Sequence, residues 1–520
     1  MNNELTALWE NVRSNKDIRQ SLSRIRAMIK EAGALDQLAY ELSSIDNTEK
    51  LLSCLNNEDA KTRKNAALLM GDVAGEVMLE ANKESADRMF MEALYDAYVA
   101  EQQLFVKSSY LTAIKNYDYR EYLDRLKKRL DELTALEPED SDKKHVDEQI
   151  RVLSDMVVMA EGIKKHQFHG YGIQSDIILT TNRRHADTVA EQIKELPDVD
   201  PEKVSTFAAG VMVNSDSVDE LLRVRTYNEL LYKVKGMVVL PQDPIEAAKK
   251  AAQSTILRFL DDRHRNEDKR PYYFRVELKS KMDLAGKSTF VKKFATALEK
   301  ATDRKLINST SDYELELRLI ETKEDRYNCL VKLYTIPDDR FRYRAESTAT
   351  SLKPVNAALM VELTKKYMVE DAQVLDPFCG VATLLIERQK VVKGNTSYGI
   401  DVNPEAIAKA KINTEAAGQI IHFINKDFFE FTHEYLFDEI ITDMPFATCH
   451  KTEEEIEEIY AKFFAQAGRY LKTTGKIIMY THNRELVNEH AASNGFKILE
   501  HIVMLEKAGT DLYVLEVNNQ

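Results

Sequence analysis

Cysteine is scarce in this chain, and the four it has (Cys54, Cys329, Cys379 and Cys449) lie far apart with no C-x-x-C pair. That excludes a disulfide framework and a zinc site of the usual spacing. Long apolar runs are missing too: none approaches the ~20 residues needed to cross a bilayer. The opening MNNELTALWENV has neither the basic region nor the apolar core of a secretion signal. A reducing cytoplasm is the expected setting, and Cys379 and Cys449 read as packing thiols because neither has a basic neighbour in sequence. Positive charge is also in deficit, with a formal net charge of −14. This argues at first against nucleic acid, whose phosphates need Lys and Arg to neutralise them. The average conceals a pattern, however. Residues 251–344 carry about 21 basic and 16 acidic side chains, whereas the segments on either side each run to roughly −10. The middle of the chain is the candidate phosphate-facing part.

A length of 520 residues suggests about three domains. Proline is absent before Pro138, and apolar residues recur at three- and four-residue spacing up to about residue 165, so 1–165 reads as all helix. DIRQSLSRIRAMIKE, KTRKNAALLMGDVAG and FVKSSYLTAIKNYDY align at an offset of about 44 residues, which places Arg19, Arg63 and Lys107 in register. Paired-helix repeats have this period, and the region resembles HEAT repeats; a plain helical bundle is the alternative. The polar segment ALEPEDSDKKHVDE (135–148) is expected to be a loop. Residues 175–345 mix short alternating strands with amphipathic helices, an α+β pattern. From 346 to 520 apolar strands alternate regularly with helices, which predicts a doubly wound, mainly parallel sheet.

In such sheets ligands sit beyond the carboxyl ends of the strands. The first strand runs into LDPFCGVATLLIE, where Asp376 closes the strand, Gly380 permits a tight turn, and a helix starts near Thr383. The second ends at Asp401, about 20 residues on, placed to accept hydrogen bonds from ribose hydroxyls. The third ends INKDFFEF, offering Asp427 and Phe428 to an adenine. The fourth ends in TDMPFA, presenting Asp443, Met444, Pro445 and Phe446. The loop after Asp376 matches G-x-G-x-x-G poorly and lacks the lysine of a triphosphate loop. Acids after three strands suit S-adenosylmethionine, a cation without phosphate.

DPFCGVATLLIE, GIDVNPEAIAKAKIN and TDMPFA occur in the order and spacing of the methyltransferase domain of THUMP-containing RNA guanine methyltransferases, which this chain resembles over roughly 175–520. SLKPVNAALMVEL is similar to the helix that enters that domain. PYYFRVELKSKMDLAGKSTFVKKFATALEK with INSTSDYELELRLIE resembles the THUMP domain, and ILTTNRRHADTVAEQIKEL the ferredoxin-like segment before it. The resemblance implies a Rossmann-like methyltransferase domain at 346–520 and a ferredoxin-like plus THUMP RNA-binding region at 175–345. It also implies S-adenosylmethionine as cofactor, with Phe378 and Asn403 joining the cofactor residues, and transfer to the 2-amino group of a guanosine, with tRNA as the expected RNA. An exocyclic amine is a poor nucleophile because its lone pair is delocalised into the ring. Asp443 and the Met444 carbonyl would accept its hydrogens, Pro445 would fix the turn, and Phe446 would stack the extruded base.

Two alternatives stay open. One keeps the chemistry and changes the substrate, to ribosomal RNA or to adenine. The other is a degenerate scaffold that only binds RNA or protein, because the family commonly has glycine at Ala382 and Ala447, where a methyl would crowd cofactor or base. A protein partner for 1–165 is open as well.

Overall fold

The computed structural model describes every residue except 1, 2, 30–33, 80, 81, 137, 268, 449, 450, 519 and 520, so Cys449 lies outside the described residues. The chain forms two compact units, Met1–Lys164 and Lys165–Gln520.

The first unit is built from helices around one apolar core that includes Trp9, Phe90 and Tyr110. Helices Ile18–Met28, Ala60–Asp72, Leu104–Ile114 and Asp140–Glu161 pack on one another in that order, and the first three carry the aligned segments. Asn3–Arg13, Lys83–Ala100 and Leu123–Thr134 each pair with the next inner helix. Gly71 permits one close approach, since a Cβ there would meet the Ala113 Cα at 2.7 Å. Two of the in-register cations hold the unit together. Arg63 donates from Nε and Nη2 to the buried Glu101, each at 2.8 Å, and Lys107 donates to the Tyr98 carbonyl at 3.0 Å. The expected loop at 135–148 is overturned from residue 140 onward, where the 22-residue helix Asp140–Glu161 begins. Val146, Ile150 and Leu153 recur at helical spacing and are buried, so packing overrides the polar composition.

The second unit contains β1 (Gln167–Phe168), β2 (Ser175–Thr180), β3 (Val204–Phe207), β4 (Gly210–Ser215), β5 (Glu229–Lys233), β6 (His264–Arg265), β7 (Tyr272–Lys279), β8 (Leu306–Asn308), β9 (Leu315–Glu321) and β10 (Tyr327–Leu333). It continues with β11 (Gln373–Asp376), β12 (Thr396–Asp401), β13 (His422–Asn425), β14 (Phe437–Asp443), β15 (Leu471–Thr481), β16 (Phe496–Leu505) and β17 (Thr510–Val517). The short β1 pairs with β6, and a mixed sheet runs β3-β4-β2-β5-β10-β9-β7-β8. The other sheet runs β13-β12-β11-β14-β15-β17-β16; its first five strands are parallel, and β17 pairs antiparallel with both β15 and β16. β11 and β14, the central strands, are almost wholly buried, as expected when helices cover both faces.

Buried polar contacts join the two sheets' layers. Arg225, between Leu221 and β5, donates to both oxygens of Glu387 at 2.8 and 2.6 Å, and the Tyr343 hydroxyl donates to the same carboxylate at 2.5 Å. Glu387 lies on helix Thr383–Val391, behind the loop that follows β11, and its side chain is 0% exposed. Beside it, Arg388 pairs through two nitrogens with Glu439 of β14, both groups buried. These pairs fix the helix behind the candidate site, and removing one partner would strand a buried charge.

Candidate active site

All the residues expected to form the site lie where β11, β12, β13 and β14 end, on the same edge of the parallel sheet. The strand pairing brings the ends together: β11 sits between β12 and β14, and β13 lies outside β12.

Gly380 has φ +51°, and a Cβ built there would meet nothing within 4 Å. The loop therefore lines open space at the start of helix Thr383–Val391, as a cofactor approached by backbone requires. Asp401, at the end of β12, holds this loop in place. Its Oδ2 accepts from the Gly380 N–H at 2.9 Å and its Oδ1 from the Asn403 N–H at 2.8 Å. Asp376 is buried, and its Oδ1 accepts from the Phe378 N–H at 3.1 Å and from the Thr442 hydroxyl at 3.0 Å. Burial first, then the charges of Asp443 and Asp401, push its carboxyl up to about 8.

Other expected cofactor residues already have work inside the fold. Asn403 caps helix Pro404–Ala416, its Oδ1 accepting from the Glu405 N–H at 2.9 Å. Asp427 caps the turn Phe428–Glu430 by accepting from the Phe429 N–H at 2.9 Å. Thr383 is buried, and its hydroxyl accepts from Arg344 Nη1. Phe428 requires a correction: it is 1% exposed and sits in the core, its ring 6.0 Å from Phe378 and 5.3 Å from Tyr470. Phe378 and Phe429 in that cluster are half-buried, as is Tyr470.

Ala382 has φ +65°, the left-handed region that favours glycine, and it is fully buried in the core cluster. The departure from glycine thus acts through backbone strain and core packing. Ala447 is half-buried and rests against the core around Phe463. Cys379 is buried, and burial holds its thiol well above the ordinary range, which fits a packing role.

At the end of β14 the situation changes. Asp443 is half-buried, yet its Oδ1 is enclosed and has no hydrogen-bond partner. Burial pushes its carboxyl up to about 7. The following Met444 is buried, its N–H donating to the Tyr480 carbonyl at 2.9 Å, which locks the turn to β15. Pro445 is half-buried beside it. The half-buried Phe446 lies 4.4 Å from the ring of His482, the planes inclined at 33°. His482 follows β15, and burial holds its pKa below the ordinary imidazole value, favouring the neutral ring. GKIIMYTH places it by the same strand-end rule that picks out Asp443.

The mixed sheet carries a second feature, a groove of about 590 Å³ near the C-terminal ends of β7 and β9. Lys279, Lys281, Lys287 and Lys323 line it together with Glu277 and Glu321. Lys292 and Lys293, on helix Leu284–Ala301, are exposed but do not line it.

Residues 342–506 match the family described as UPF0020, RMKL-like, methyltransferase domain. Among solved structures, the chain is similar to TrmN from Thermus thermophilus, with 20% identity and a TM-score of 0.50 over 66% of this chain and 99% of that one. It is also similar to SMU.472, a putative methyltransferase complexed with SAH, with 12% identity and a TM-score of 0.50 over 67% and 99% of the two chains. At these identities the likeness shows the fold. The open Gly380 cradle and the acids Asp401 and Asp427, with no lysine in the loop to meet a phosphate, fit a cationic sulfonium cofactor. The C-terminal part of the chain is a Rossmann-like methyltransferase domain whose cofactor is S-adenosylmethionine.

Proposed function

We propose that this chain methylates RNA on the exocyclic 2-amino group of a guanosine, with tRNA as the substrate class. One observation carries the reading: the enclosed, unpartnered Oδ1 of Asp443, at the strand end that also carries the half-buried ring of Phe446. An acceptor without a donor costs about 1–3 kcal/mol unless a ligand supplies one. The amine of an extruded base supplies it.

Bound cofactor provides an electrophilic methyl on a sulfonium. Asp376, Asp401 and the Gly380 loop hold that cofactor from the ends of β11 and β12, with Phe378, Thr383, Asn403 and Asp427 around it. Asp443, once ionised, accepts one amine hydrogen, and the Met444 carbonyl accepts the other. The two acceptors draw the nitrogen lone pair out of the ring and aim it at the methyl group, so rate comes from alignment and from charge placed for the transition state. Pro445 stiffens the turn, and Phe446 stacks the base at about 1–3 kcal/mol. Asp443 takes up the proton released as the amine is methylated, a role served by a carboxyl whose pKa lies near 7.

The lysine-lined groove of the mixed sheet supports an RNA substrate, with residues 175–345 acting as the ferredoxin-like and THUMP parts. The stacked helix pairs of 1–164 are read as a HEAT-like region.

The test is mass spectrometry of nucleosides from tRNA and rRNA of a deletion strain beside wild type. The reading expects N2-methylguanosine to fall in the tRNA fraction. An unchanged tRNA profile with loss of a methyladenosine would overturn the base assignment, and loss confined to rRNA would overturn the substrate class.

A further inference from the structure

The acidic balance of the helical unit hides a local reversal. A groove of about 650 Å³ opens between helices Ile18–Met28 and Ala60–Asp72 and reaches Phe105 of the next inner helix. Arg19, Arg24, Lys61 and Lys64 line it, and no carboxylate does. Arg24 donates to Glu4 at 2.9 Å, an exposed pair that water screens and a stronger anion can displace. Lys61 and Lys64 enter no ion pair among the described residues, and Arg19 makes no close one, although its charge acts at longer range on the Asp59 carboxylate. Asp59 is the nearby acid, and it is turned toward its own helix: its carboxylate accepts from the Lys61 N–H, the Thr62 N–H and the Thr62 hydroxyl. The wall also carries Asn65, whose Nδ2 donates to the Arg19 carbonyl at 3.2 Å and so ties the two helices across the groove.

We propose that this groove binds single-stranded RNA, gripping its phosphates with Arg19, Arg24, Lys61 and Lys64 and offering Phe105 to a base. The proposal rests on the RNA reading of the methyltransferase domain and adds a contact surface to it. Two features favour nucleic acid over an acidic peptide. Four cations in one concavity lined by no acid match a repeated anion. A half-buried aromatic ring beside them suits a polyanion that carries flat bases, because base–aromatic stacking tolerates any sequence. An acidic peptide would use the cations and leave the ring idle.

The sequence shows why this surface escapes a charge count. Arg19, Arg63 and Lys107 share a register, yet Arg63 and Lys107 hold Glu101 and Tyr98 inside the fold. Arg19 is exposed, and with Lys61 and Lys64 it lines the groove.

The experiment uses the full chain and two fluorescent probes, bulk tRNA and a short oligouridylate, with anisotropy read across a salt series. The triple variant R19E/K61E/K64E should weaken binding to both probes at least about tenfold at low salt. It should also lower the salt slope by about 2–3, near one per lost phosphate contact. Cofactor affinity and the turnover rate at saturating RNA should stay at wild-type values. R19Q/K61Q/K64Q should fall between the two, and thermal melts check that both variants are folded. Wild-type isotherms from the folded triple variant would overturn the proposal while leaving the RNA reading intact. Competition by polyglutamate but not by oligouridylate would overturn it in favour of an acidic protein partner. Charge reversal at Lys279, Lys281 and Lys323 reports the RNA reading separately: if neither set of changes affects tRNA binding, both fail together.

Discussion

The ends of β11, β12 and β13 differ from the end of β14 in what their carboxylates already hold. Asp376 takes the Phe378 amide, Asp401 takes the amides of Gly380 and Asn403, and Asp427 takes that of Phe429. Each ties a strand-end loop into shape, Asp401 the Gly380 loop as well as its own, and leaves further lone pairs for a ligand. Asp443 has an enclosed oxygen that takes nothing. The first group builds a rigid cradle; the second keeps an acceptor waiting for a donor. On the proposed reading, neighbouring positions on one sheet edge separate cofactor binding from handling of the target amine, and mutations should separate them too.

The largest expected effect follows from Asp443→Ala. Methyl transfer in single turnover should fall by about 10²–10³-fold, the scale for losing a preorganised group that acts on developing charge. The cofactor dissociation constant by calorimetry should stay within about twofold. Stability should move in a direction that an ordinary turn cap would not show. The folded carboxyl titrates at about 7 against the ordinary 3.8, so the folded state holds its proton between those values. Stability is therefore lost as pH rises from about 3.8 to about 7, where only the unfolded chain gives up the proton, and the loss is complete above 7, so removing the carboxyl should raise the melting temperature at pH 8 with little change near pH 4. A mutant that melts lower at both pH values and turns over normally would make Asp443 a structural cap.

Asp401→Ala comes next and should reverse the pattern. It releases the Gly380 loop and removes a charge-assisted acceptor that contributes about 1.5–3 kcal/mol, so cofactor affinity should drop about 10- to 100-fold. Unchanged affinity in a folded mutant would dissolve the contrast between the strand ends.

Phe446→Ala and His482→Ala sharpen the β14 side. Loss of either ring of this pair should raise KM for RNA about tenfold, with a larger fall in kcat for Phe446→Ala than for His482→Ala. Equal effects of the two on kcat and KM would place the base elsewhere.

Ala382→Gly should do least. Relief of left-handed strain, about 1–2 kcal/mol, opposes loss of a buried methyl at ~0.8 kcal/mol and added chain entropy. The melt should therefore move by less than about 1 kcal/mol, with activity retained. A gain of more than tenfold in cofactor affinity would show that the methyl crowds the site.

What could be read from the sequence divides along similar lines. The strand ends were legible because a carboxylate that closes an apolar run is a one-dimensional signal. The cap role of Asn403 was legible in principle as well, since Asn-Pro-Glu is an N-cap followed by proline at the first helical position. Phe428 against Phe429 was not: two adjacent rings have identical chemistry, and only the turn Phe428–Glu430 decides which one enters the core. The polar composition of residues 140–148 masks the helical spacing of Val146 and Ile150, which pack within the helical core. The enclosure of Asp443 Oδ1 depends on packing from several elements, and no local pattern records it.

The pH dependence of single-turnover methyl transfer tests the role of Asp443 most directly. Wild-type kcat/KM should rise with pH through an apparent pKa near 7 and then level off, as the proton leaves the carboxyl that must accept the amine. Asp443→Asn should be slower throughout and lack that step. The same rise in the asparagine variant would contradict the account, because the titrating group would then lie elsewhere.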